Sequence, residues 1–135
     1  VSGLAMIAWG LHSDRRDERR WHVALPALAG ALVFAVAALF EGPAAIGVAA
    51  IGVGMVLVCC TLPTFWTLPA ALLTGTAAAG GIALVNSIGN LGGFFGPFVT
   101  GSLKEATGSY APALWVLAAG LAGAAAIVLA VAPRR

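Results

Sequence analysis

The fold is decided by residues 42–103, GPAAIGVAAIGVGMVLVCCTLPTFWTLPAALLTGTAAAGGIALVNSIGNLGGFFGPFVTGSL, a run of 62 residues without one Asp, Glu, Lys or Arg. A single helix of that length would reach about 93 Å, three times the ~30 Å hydrocarbon thickness of a bilayer. The run must therefore turn back on itself inside or beside a membrane. The rest of the 135-residue chain has the same character. It is 61% hydrophobic and 9% charged, with a mean hydropathy of +1.00. An ordinary soluble domain carries about 25% charged residues. Soluble, disordered and nucleic-acid-binding readings fail on that count, and an all-α polytopic transmembrane bundle is expected.

The few charges are placed, not scattered. Seven of them stand together in Asp14-Arg15-Arg16-Asp17-Glu18-Arg19-Arg20. Burying seven charges at about 2.5–3.5 kcal/mol each would cost roughly 20 kcal/mol, so this segment lies in water. Its four arginines assign it to the cytoplasm by the positive-inside rule. The helix that follows then exits, leaving Glu41 outside, where Glu41-Gly42-Pro43 breaks the pattern. Arg134 and Arg135 close the chain on the inside, so the last helix runs inward. The uncharged run begins and ends outside and must hold an even number of crossings; two fit its length. Leu68-Pro69 and Thr74-Gly75 interrupt it and place an inner turn near residues 69–76. The expected spans are 21–40, 44–67, 76–102 and 112–132, with a basic inner loop at 12–20 and an outer loop at 104–112. Residues 1–11 are apolar for only half a crossing, and the chain starts at Val1 without the basic start or cleavage site of a signal peptide. The expectation is one bundle fragment, the C-terminal part of a longer protein cut within a helix.

Two features of the spans bear on function. Four glycines and Pro97 fall within residues 89–97, and Gly89/Gly93 and Gly92/Gly96 form GxxxG pairs. Gly costs about 1 kcal/mol and Pro about 3 kcal/mol against Ala in a helix interior. Either the stretch packs closely on another helix, or it bends during a conformational cycle. Pro63 removes a backbone hydrogen bond in the preceding span and is expected to kink it. Asn86 and Asn90 are four apart and share a helix face, with Asn86 about 18 Å beyond the inner turn, near the bilayer midplane. Each amide needs a partner there, either another helix or a substrate in a water-filled cavity. Trp66, beside Phe65, belongs either to an interfacial aromatic belt or to that cavity. Cys59 and Cys60 are adjacent and read as buried small residues without redox or metal roles. No nucleophile–base pair, metal cluster or phosphate loop appears, so neither an enzyme nor a cofactor or metal site is expected.

Gly10-Leu11-His12-Ser13-Asp14-Arg15-Arg16-Asp17-Glu18-Arg19-Arg20-Trp21-His22 resembles the Gly-x-x-x-Asp-Arg loop motif of the major facilitator superfamily. Asp17 stands where the motif commonly has glycine. Phe65-Trp66-x-Leu68-Pro69, Gly75-Thr76-Ala77-Ala78-Ala79-Gly80-Gly81-Ile82-Ala83 and Asn86-Ser87-x-Gly89-Asn90-Leu91-Gly92-Gly93-Phe94-x-Gly96-Pro97 are similar to helices ten and eleven of bacterial organic-acid permeases, in that superfamily's anion:cation symporter family. The resemblance implies the end of helix eight through helix twelve of a twelve-helix fold. It implies alternating-access symport of a small organic anion with protons across the bacterial inner membrane. The loop at 12–20 and the C-terminus would then be cytoplasmic. By resemblance, Trp66, Asn86 and Asn90 contribute to the substrate site, and Gly10, Asp14, Arg15, Arg19 and Arg20 form a gating motif. Pro63, Gly89, Gly92, Gly93, Gly96 and Pro97 would serve hinge and packing roles. The partners implied are lipid, the N-terminal helix bundle, the anion and protons; nucleic acid is not among them. A drug or metabolite exporter of the same superfamily and a small non-transporting membrane subunit are the alternatives.

Overall fold

The computed structural model describes residues 2–40, 44–72 and 74–132, and every element among them is helical. The elements are α1 (Ser2–Arg16), α2 (Arg20–Leu39), α3 (Ala44–Phe65), α4 (Thr67–Leu72), α5 (Gly75–Thr107) and α6 (Ala111–Val131). Four apolar segments are long enough to cross a membrane: Arg20–Leu39, Ile46–Pro69, Gly75–Thr107 and Ala111–Val131. The breaker Glu41-Gly42-Pro43 and the terminal Arg134-Arg135 lie outside the described residues.

The centre of the bundle is α2, which packs on α6 and on α3, while α3 also holds α1. Phe34 and Ala38 of α2 meet Leu114 and Ala118 of α6, and Ala24 and Ala27 meet Ala125. Contacts that advance along α2 retreat along α6, so the two helices are antiparallel. Alanine dominates this seam because lipid tails offer little hydrophobic drive between helices; close backbone approach and dispersion must supply the attraction. Glycine extends the same device to α3. A Cβ built on Gly54 would lie 2.3 Å from Cε1 of Phe34, so that ring occupies the space a side chain would fill. A Cβ on Gly30 would lie 3.2 Å from Leu121 and 3.7 Å from Leu57, at the point where α2 meets both neighbours. On its other side α2 exposes Leu25, Leu28, Leu32, Val36 and Leu39 at helical spacing, a stripe suited to acyl chains.

Three boundaries differ from the sequence expectation. The basic segment is largely helical. Helix α1 continues through Arg16, and only residues 17–19 turn before α2 starts at Arg20. Asp17 makes this possible by adopting φ 47, the left-handed conformation that the motif's usual glycine would favour. The outer loop is shorter than 104–112, because α5 runs to Thr107 and leaves only residues 108–110 between helices. Gly108 ends α5 at φ 72, its N–H donating to the Lys104 carbonyl at 2.8 Å. Pro69 is not a turn residue. It is the third residue of α4, where its missing N–H would have no intrahelical partner anyway. Helices α3 and α5 both continue past their prolines, α3 for two residues beyond Pro63 and α5 for ten beyond Pro97.

Arg20 adds a polar tie to the apolar seam. Its Nη2 donates to the backbone carbonyl of Leu129, in the last turn of α6, where carbonyls lack intrahelical donors. Gly54→Ala should lower bundle stability by about 1–3 kcal/mol through overpacking against Phe34, read as a lower detergent-solubilised melting temperature. Phe34→Leu in the same chain should restore part of the loss. At the turn, Asp17→Gly should leave the melting temperature unchanged or raised, whereas Asp17→Val should lower it, because left-handed backbone costs a β-branched residue about 1–2 kcal/mol.

Candidate functional site

Helix α5 is unlike its neighbours. It packs on α6 and α4 but buries none of its residues. Asn86 and Asn90 both stand on its exposed surface near the middle of the helix. At i, i+4, i+7 and i+11, Asn86, Asn90, Gly93 and Pro97 share one face, while Leu84, Ile88, Leu91 and Phe95 take the other. A Cβ placed on Gly89, Gly92, Gly93 or Gly96 would meet nothing within 4 Å. The two GxxxG pairs therefore make no close contact within this chain. The helix carries a small, polar face and an apolar face, both uncovered by the described residues.

Trp66 lies in the break between α3 and α4 and is 36% exposed. Its ring meets Phe65 edge-on, with centroids 5.4 Å apart. Among the described residues α3 and α5 share no extended contact, and Trp66 and the two asparagines stand on separate elements. The residue just before the aromatic pair, Thr64, is 3% exposed, and its Oγ1 has no hydrogen-bond partner. The sequence reading passed over Thr64, because a threonine in an apolar span ordinarily bonds back to its own helix. Thr61 does so here, donating to the Val58 carbonyl at 2.7 Å, while Thr67 at the start of α4 donates to the Thr64 carbonyl of α3 at 2.7 Å.

At the other candidate site, the gating-motif residues separate into distinct roles. Asp14 and Arg19 face each other across the turn at 3.9 Å, both well exposed. Arg20 is committed to α6. Arg15 and Arg16 end α1 in the open, without an ion pair among the described residues. Gly10 packs on α3, where an added Cβ would sit 3.4 Å from that of Pro63. The turn itself is held by residues other than the expected gating residues. Ser13 is buried, and its hydroxyl donates to the Glu18 carbonyl at 2.8 Å. The Glu18 carboxylate accepts the Trp21 backbone N–H through Oε1 at 2.8 Å and meets Nδ1 of His22 through Oε2 at 2.9 Å. Trp9 donates its indole N–H to the His22 carbonyl at 2.8 Å. The rings of Trp9 and His12 each lie 5.2 Å from that of His22. Glu18 three residues before Trp21 was the available signal, since a carboxylate there can satisfy an unpaired N–H in the first turn of α2. No group of three or more metal-ligating side chains occurs among the described residues.

Comparison with known proteins places this helical arrangement in a setting. No family profile matches the chain, and no solved structure matches it. It is 43% identical over 132 residues to a protein of Agrobacterium vitis named as a tartrate transporter, covering 96% of this chain and 30% of that one. Over 118 residues it is 37% identical to a Pseudomonas putida protein named as the metabolite transport protein NicT, covering 87% and 26%. A quinolone resistance transporter of Acinetobacter baumannii is 41% identical over 105 residues, or 78% and 24%. The chain thus spans about a quarter to three-tenths of the length of the curated relatives it matches. Over most of its length the chain is similar to a part of each of these bacterial transport proteins.

Proposed function

We propose that this chain is the C-terminal part, from the end of helix eight through helix twelve, of a secondary transporter that takes up a small organic anion with protons. The reading rests foremost on the 43% identity, over nearly the whole chain, to the protein named for tartrate transport. In this reading α5 is helix eleven, and the face carrying Asn86 and Asn90 lines the substrate path opposite the N-terminal bundle. Amides serve such a path well. They hydrogen-bond a carboxylate or hydroxyl without the cost of a buried charge, which is about 2.5–3.5 kcal/mol at the bilayer centre. No Asp, Glu, Lys, Arg or His occurs from residue 44 to residue 103. The groups that neutralise the anion and carry the coupling proton then belong to the N-terminal half. Trp66, at the cytoplasmic end of helix ten, closes the path from below.

Alternating access requires the two halves to rock about the site, and the open glycines of α5 let a facing backbone approach and slide. The inner membrane is the setting, with the turn at 17–19 and the C-terminus in the cytoplasm. Export is the second reading, favoured by the 41% identity to the quinolone resistance transporter. Uptake and efflux assays on the full-length transporter separate the two.

In that transporter, Asn86→Ala should reduce anion uptake at least tenfold with membrane abundance intact, and Asn90→Ala should raise the half-saturating concentration. Unchanged uptake in both variants removes α5 from the substrate path. For the topology, a single cysteine at residue 16 should react with an impermeant maleimide only in inside-out vesicles. One at residue 109 should react only in intact cells with a permeabilised outer membrane. The reverse pattern inverts the assignment.

A further inference from the structure

Among the resemblance-derived gating residues, the only ion pair within the turn is Asp14–Arg19, at 3.9 Å with both side chains substantially exposed. A pair of that kind contributes little to stability and is screened by salt. It cannot order the turn. The ordering comes from Glu18, which engages both sides of the connection. Its backbone N–H and carbonyl meet the carbonyl and hydroxyl of Ser13 at the end of α1. Its carboxylate takes the Trp21 N–H and the His22 ring at the start of α2. Ser13 is 2% exposed, and the His22 and Glu18 side chains are 9% and 23% exposed against 38% and 68% for Arg19 and Asp14, so the contacts to Ser13 and His22 are less open to water than the ion pair. Trp9 completes the assembly by tying α1 to the His22 carbonyl.

We propose that Glu18 is the positioning residue of the cytoplasmic gate. Through Ser13, Trp21, His22 and Trp9 it fixes the α1–α2 turn so that Asp14, Arg15, Arg16 and Arg19 are presented in one arrangement to whatever they latch. This rests on the reading of the chain as the C-terminal part of an alternating-access transporter, and it assigns the gate's geometry to a residue that is not among the expected gating residues. Glu18 acts through its two acceptor oxygens. Glutamine keeps the length of the side chain. Its carbonyl can accept the Trp21 N–H while its amide donates to the alternative tautomer of neutral His22. Alanine removes both bonds, and aspartate is one methylene too short to make both.

The test uses the full-length transporter in two assays. The first is limited trypsin digestion of inside-out vesicles, followed by cleavage after Arg15, Arg16 and Arg19; it requires no substrate. Glu18→Ala and Glu18→Asp should speed cleavage at least fivefold, and Glu18→Gln should remain within twofold of the parent. The second is initial uptake of a labelled organic anion, normalised to membrane abundance. Glu18→Ala should lower the maximal rate five- to tenfold with little change in half-saturating concentration, because the substrate site is untouched, and Glu18→Gln should restore most of the rate. Unaltered cleavage in Glu18→Ala overturns the positioning role. Equal loss of transport in the Gln and Ala variants also overturns it, since the charge and not the geometry would then matter. If the parent protein takes up none of the anions offered, the transport reading fails alone, and the cleavage pattern still decides the role of Glu18.

Discussion

Inside a bilayer there is no water to satisfy a polar group, and this constraint governs nearly every feature of the chain. It makes every element among the described residues a helix. It leaves the spans with hydroxyls, two asparagines and two cysteines in place of charges. It also removes the usual reason for helices to associate, because an apolar side chain gains little by leaving lipid for protein. What remains is contact quality. The seam between α2 and α6 is accordingly built from alanines, with the Phe34 ring lying across Gly54 of α3.

The same constraint explains how the ends of the helices are handled. The last carbonyls of α6 would be unsatisfied at the membrane boundary, and Arg20 supplies a donor to one of them at Leu129. Its apolar stem can lie along the seam while its charged head stays near the interface. The first N–H groups of α2 present the opposite need, and the Glu18 carboxylate meets it. One short segment thus caps both helices of the principal seam, a cation at one C-terminus and an anion at one N-terminus, in the sense that the helix dipole favours. The run of alternating charge at 14–20 is structural as well as topological.

Much of this was legible in the sequence. The 62 uncharged residues impose a turn near residues 69–76, and Gly75 takes φ 58 within that range. The same run holds two long helices, α3 and α5, with the short α4 between them. The misplaced boundaries have physical causes. Lys104 and Glu105 were read as loop because they are charged, yet a helix can extend beyond the hydrocarbon into the headgroup region, and α5 does so by about a turn. Asp17 stands where the motif commonly has glycine, yet it keeps the left-handed backbone, which aspartate tolerates better than most residues. The clamp of Trp9, Ser13 and His22 was invisible for a different reason. It is a set of tertiary contacts between helix ends, with no periodicity or spacing to announce it.

The glycines show how one residue type carries two kinds of information. Gly30 and Gly54 lie where side chains of neighbouring helices press within 3.2 Å and 2.3 Å of a hypothetical Cβ, so their smallness is used within this chain. Gly89, Gly92, Gly93 and Gly96 have open space around them, so theirs is not. No local property of α5 repays the helix propensity these four residues forgo, roughly 1 kcal/mol apiece relative to alanine. The proposed reading accounts for a helix with exposed glycines and exposed asparagines near its middle by a facing bundle that closes over it. That covering must present backbone or polar groups to the Asn86–Pro97 face and lipid or apolar side chains to the Leu84–Phe95 face. The difference in packing between α2 and α5 therefore marks a division of labour: α2 holds the bundle together, and α5 is shaped for contacts this segment does not itself make.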